Sequence, residues 1–152
     1  HLAGLLATTE KVKQLHGSGG NPQVSSGVQA AVVMSGPMEI ATGSVAEKSL
    51  LADNSKSNAV ILFGGTVKEK PKLYSLADAH LHISKATPPI LFQFGGTEDP
   101  SKVQSSVEKL KKMGVSTKVL SHYKDGKHGC WNSHPWFMPM IADIDSWFKE
   151  HL

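Results

Sequence analysis

The sequence predicts an α/β layered domain built on a parallel sheet. Three observations carry that prediction. Two short apolar runs, Val28–Met34 and Ile90–Phe94, are hydrophobic at nearly every position, as strands covered on both faces are. A third run, Val115–Tyr123, is rich in branched residues and alternates. Between and after these runs the apolar spacing changes to three and four residues, the period of helices that cover a sheet.

Taken in order, Leu2, Leu5, Leu6, Thr9, Val12 and Leu15 recur at helical spacing, and Gly17–Pro22 breaks the pattern as a surface loop. The opening residues lie inside an apolar pattern with no capping signal before it, and the sequence reads as the later part of something longer. Val28–Met34 is the first strand, closed by Ser35-Gly36-Pro37. From Met38 to about Ala86 the periodicity is poor, with short helices expected over Ile40–Leu51 and Ser57–Phe63 and a break at Gly64-Gly65-Thr66. The second strand runs from Pro88 through Phe94 into Gly95-Gly96. Asp99-Pro100, a capping residue followed by proline, opens a helix whose apolar face is Val103, Val107 and Leu110 and whose end is Gly114. Val115–Tyr123 follows, and Phe137, Ile141, Ile144, Trp147 and Phe148 mark an amphipathic closing helix.

Composition narrows the function. The chain has 152 residues, the size of one domain, with 39% hydrophobic and 19% charged residues. Its net charge of +3 comes from lysines alone, and these are scattered along the chain. A nucleic-acid reader would carry arginine for bidentate contacts, so nucleic acid is not an expected partner. No apolar run is long enough for a membrane span. A single cysteine, Cys130, leaves no internal disulfide and no cysteine-based zinc cluster. The sequence assigns no compartment.

In parallel sheets, ligands bind beyond the carboxyl ends of the strands. Asp99 stands on the loop just past the second strand and His128 on the loop past the third. Neighbouring strands lie about 5 Å apart, so the two loops can meet. A carboxylate that accepts from one imidazole nitrogen fixes its tautomer and leaves the other nitrogen as a general base. Glu98 is a weaker choice of acid, and Asp125 is read as a residue shaping the turn with Gly126. His80 and His82 would point to one side of a strand, but no three or four convergent ligands accompany them, so no metal site is assigned. Cys130 is read as structural, and Trp131 and Trp136 as packing beneath the closing helix or lining a substrate pocket. Ser35 and Ser44 lack the strand–turn–helix elbow of a nucleophile.

The succession Pro88-Pro89-Ile90-Leu91-Phe92-Gln93-Phe94-Gly95-Gly96-Thr97-Glu98-Asp99-Pro100, followed by a helix, a strand and His128-Gly129, resembles the C-terminal half of an α/β-hydrolase. It is similar to the esterase/lipase group that includes feruloyl- and acetyl-esterase-like enzymes. His1-Leu2-Ala3 resembles the run that follows the nucleophile elbow in that group, and Val32–Pro37 the strand after the nucleophile helix. Phe63-Gly64-Gly65 and Leu76–Ala79 resemble a cap-side insertion, placed at about 38–86 within a single catalytic domain over 1–152. The resemblance implies a partial α/β-hydrolase fold with three parallel strands, Asp99 as triad acid and His128 as triad base. It implies a small ester as substrate and no cofactor.

No G-x-S-x-G occurs in the sequence. By the resemblance, the nucleophilic serine would lie about four residues ahead of His1, on an N-terminal half or on a second chain. The expected function is therefore carboxylic-ester hydrolysis by a serine triad to which this chain supplies acid and base. The alternatives are a non-catalytic binding module, or one half of a split hydrolase.

Overall fold

The computed structural model describes residues 1–21 and 23–152, and Pro22, the last residue of the predicted loop, lies outside them. Three parallel strands form one sheet in the order β1 (Ala31–Met34), β2 (Ile90–Gly95), β3 (Thr117–Tyr123). Val33 pairs with Phe92, and Phe92 with Val119. Every residue of β2 is buried, which explains its unbroken apolar run. Each of Ile90, Leu91 and Phe92 contributes about 2 kcal/mol by leaving water.

The pleat divides the strands between two layers. Ile90, Phe92 and Phe94 join Ala31 and Val33 in a core closed by α1 (Leu2–Thr8) and α5 (Gln104–Lys112). On the other face, Tyr123 and Cys130 cluster with Met140 of α6 (Phe137–His151). Gln93 also faces α6: its amide donates to the Tyr123 hydroxyl at 2.8 Å and to the Met140 carbonyl at 3.1 Å. The Tyr123 hydroxyl in turn donates to Asp143 at 2.7 Å. Burial and the Asp143 carboxylate hold this phenol well above its ordinary titration range.

Several elements differ from the sequence expectation. The first helix stops at Thr8 instead of continuing to Leu15. Thr8 and Thr9 turn their hydroxyls back onto the carbonyls of Gly4 and Leu5, at 3.1 and 2.6 Å, and such bonds compete with helix propagation. The first strand starts at Ala31, not Val28, and the third at Thr117. The helix predicted from Asp99 begins as a 3-10 turn, Pro100–Val103, and becomes α5 at Gln104. Gly114, at φ +77°, follows its end in the left-handed region that glycine enters without penalty.

Between β1 and β2 lie α2 (Gly43–Ser49), α3 (Asn58–Phe63) and α4 (Pro71–Ala77). The last of these was not expected, although Pro71 at its first turn is a usual start signal. They share a small core of Ile40, Ala59 and Tyr74, with Phe63 tilted against Tyr74 at 4.7 Å. His80 and His82 are not on a strand. The first bonds Ser106 at 2.9 Å and the second the Leu76 carbonyl at 3.0 Å, so the two imidazoles serve separate contacts.

Asp78 ties the two ends of this segment to each other. Its buried carboxylate accepts from the amides of Ile40 and Ala41, both at 2.8 Å, and of Leu81 at 3.1 Å. Replacing it would strand these donors away from water. Asp78→Ala is expected to lower stability by about 3 kcal/mol, measured by urea unfolding followed by circular dichroism.

Candidate active site

The loops after β2 and β3 meet because glycine lines the contact. A Cβ on Gly95 would lie 2.5 Å from the Gly126 carbonyl oxygen and 2.8 Å from that of Lys127. With no side chain there, the backbones seat directly on each other. The amide of Gly96 donates to the Tyr123 carbonyl at 3.0 Å. The amide of Thr97 donates to the Gly126 carbonyl at 3.0 Å, and its hydroxyl to the same oxygen at 3.1 Å. From below, Trp136 braces the second loop by donating its indole N–H to the Lys124 carbonyl at 2.8 Å.

This seating brings His128 against Glu98. The imidazole Nδ1 lies 2.9 Å from Glu98 Oε1. The histidine side chain is 72% exposed while the glutamate is 16% exposed, so the carboxylate is the anchored partner and the imidazole presents itself outward. Glu98 Oε2 accepts from the Gly95 amide at 2.8 Å and from the Ser35 hydroxyl at 2.5 Å. Partial burial alone would raise this carboxyl. The bonds from Ser35, His128 and Gly95, with the charge of His128 when protonated, outweigh burial and draw it below the usual carboxylate range.

The expected contact between Asp99 and His128 is corrected by this arrangement. Asp99 Oδ1 accepts from the Ser101 amide at 2.9 Å and caps the 3-10 turn that Pro100 begins. The Ser101 side chain first, and its amide second, hold this exposed carboxyl below its ordinary value. Its carboxylate is committed to the turn, whereas the adjacent Glu98 faces the β3 loop. The Asp-Pro pair announced this cap in the sequence, but a cap that engages one carboxylate oxygen does not by itself say which acid meets the histidine.

The neighbouring residues fall into place around this pair. Asp125 adopts φ +57°, in keeping with a turn-shaping role. Cys130 is buried, its Sγ 3.7 Å from Met140 Sδ, and burial followed by the nearby Glu98 charge raises its thiol. Trp131 meets the His128 ring edge-on, with centroids 5.2 Å apart. On the far side of Ser35 opens a cavity of about 570 Å³, walled by Gly36, Pro37, Thr42, Ser44, Phe94 and Ser105.

Comparison with solved structures shows the same fold at low identity. A truncated carbohydrate esterase from gut microbiota superposes with a TM-score of 0.72 at 19% identity, over 96% of this chain and 55% of that one. A bifunctional GH43-CE protein of Bacteroides eggerthii gives 0.71 at 24% identity, over 96% and 22%. A thermophilic esterase from the planctomycete Thermogutta terrifontis, with butyrate bound, gives 0.65 at 17% identity, over 97% and 52%. The chain thus spans about half or less of the length of these structures. No curated protein sequence matches it. The three parallel strands with flanking helices are of α/β-hydrolase type. The profile of the BD-FAE family matches residues 1–113, three quarters of the chain, which therefore belongs to the BD-FAE family.

Proposed function

We propose that this chain provides the acid and base of a serine-dependent carboxylic-ester hydrolase, with Glu98 and His128 in those roles. The observation that carries the reading is the 2.9 Å contact between a fixed carboxylate and an outward-facing imidazole, on the loops past two adjacent parallel strands. With Nδ1 engaged by Glu98, Nε2 is the nitrogen placed to take a proton from a serine hydroxyl. The serine oxygen then attacks the ester carbonyl, and the imidazolium returns its proton to the departing alcohol. Water releases the acid through the same base.

The serine comes from outside these 152 residues. Two features support its approach beside β1. That strand is an edge of the sheet as described. A Cβ on Gly36 would also run into the backbone nitrogen of His1, so the start of α1 lies against the turn that carries Ser35. A strand added at this edge and leading into α1 would end next to the Glu98–His128 pair. The segment 38–86 then acts as a cap-side roof over the cavity beyond Ser35. The solved structures include a carbohydrate esterase and an esterase holding butyrate, which favours a small ester, such as an acetyl or aryl ester borne on a sugar.

Intact-mass analysis combined with fluorophosphonate labelling tests the reading. The expected result is a labelled serine on a longer form of this chain or on a co-purifying partner. The 152 residues alone should neither label nor hydrolyse p-nitrophenyl acetate. Labelling of Ser35 or Ser44 would reject the assignment of an outside nucleophile. A longer or partnered form that neither labels nor turns over ester would favour a binding module.

A further inference from the structure

We infer that Ser35 is a positioning residue for the Glu98–His128 pair, acting through one oxygen of the carboxylate. This inference rests on the ester-hydrolase reading only for its catalytic consequence. Ser35 follows β1 directly, and its amide donates to the Gln93 carbonyl at 2.8 Å, which extends the β1–β2 ladder to the site. Its φ is +50°, a conformation unfavourable for a residue with a side chain. At that turn the hydroxyl reaches Glu98 Oε2 at 2.5 Å.

The carboxylate has two oxygens and three protein donors. Ser35 and Gly95 take Oε2, which turns Oε1 alone toward His128. A glutamate has three rotatable side-chain bonds, and without the second donor the carboxylate can swing between partners. Ser35 is not placed as a nucleophile, because its hydroxyl proton is given to the carboxylate and not to the imidazole. It steadies the acid through the oxygen that does not meet the imidazole.

The hydroxyl also stabilises the ionised form of Glu98. Because the folded carboxyl titrates below its unfolded value, the folded chain binds fewer protons than the unfolded chain across that window. The resulting stabilisation is whole above the ordinary carboxylate range and is lost as pH falls through the folded midpoint. Removing the Ser35 donor raises that midpoint and narrows the window.

Glycine and asparagine separate hydroxyl from backbone. Ser35→Gly relieves the positive φ and deletes the donor, while Ser35→Asn tolerates the same φ and offers an amide N–H. With the chain carrying ¹³C-labelled glutamate carboxyls, NMR titration is expected to place the Glu98 midpoint about half a pH unit or more higher in Ser35→Gly. Ser35→Asn should restore most of that difference. An unchanged midpoint in Ser35→Gly, or equal midpoints in the two variants, would overturn the inference. This readout needs no turnover, so it stands apart from the functional reading. In the assembled esterase, Ser35→Gly is expected to lower kcat by about tenfold with KM nearly unchanged. An unchanged kcat would overturn the positioning role, whereas absence of any esterase would sink the functional reading and leave the titration to decide Ser35.

Discussion

On the proposed ester-hydrolase reading, His128→Ala in the assembled protein is expected to lower kcat by about 10⁴-fold or more, because His128 is the group proposed to take the serine proton. Glu98→Gln should cost about 10²- to 10⁴-fold. The amide can present the wrong hydrogen-bonding partner to Nδ1, and it removes the charge that stabilises the imidazolium. Asp99→Asn should leave kcat within about threefold, since asparagine caps a helical turn nearly as well as aspartate. Steady-state kinetics on an aryl acetate over these three variants decides between the two adjacent acids. A large loss in Asp99→Asn with a small one in Glu98→Gln would return the acid role to Asp99 and show that the loop rearranges on assembly.

The second large effect is expected at Gly95. Its α-hydrogen faces the carbonyl oxygens of Gly126 and Lys127, and both obstacles are backbone. A flexible side chain could move aside cheaply, but these atoms belong to the loop that the Thr97 and Gly96 bonds hold in place. Gly95→Ala must therefore part the two loops. The expected cost is about 2–4 kcal/mol in urea unfolding, with loss of the contact between Glu98 and His128 seen by NMR. Gly43→Ala is a suitable comparison for backbone conformation. Its φ is +61° but a Cβ there meets nothing, so it should cost less and leave the pair intact. Equal effects at both positions would show that the loop seating is not what aligns the site.

Three strands, their order along the chain and the covering helices were legible because burial on both faces leaves an unmistakable apolar run, as in Ile90–Phe94. The loop positions of His128 and of a carboxylate beside it were legible for the same reason, since strand ends announce where a parallel sheet keeps its chemistry. Helix lengths were less legible. The periodicity through Leu15 continues past Thr8, yet two threonine hydroxyls end the helix locally. In the stretch from Met38 to Ala86 the helices are short and a buried carboxylate, Asp78, organises their junction through backbone amides. Such bonds leave no period in sequence.

Composition and apolar spacing by themselves determined a parallel α/β sheet, the strand ends past which its loops meet, and the place of His128 on one of those loops. Only the tertiary structure decided which of two consecutive acids meets it. Glu98 and Asp99 differ by one position and one methylene, and although Asp99-Pro100 announces a cap, the sequence does not show which carboxylate reaches the β3 loop. The choice falls to directions in space: Pro100 draws Asp99 into a cap, while Gly95 lets the β3 loop approach closely enough for Glu98 to reach the imidazole.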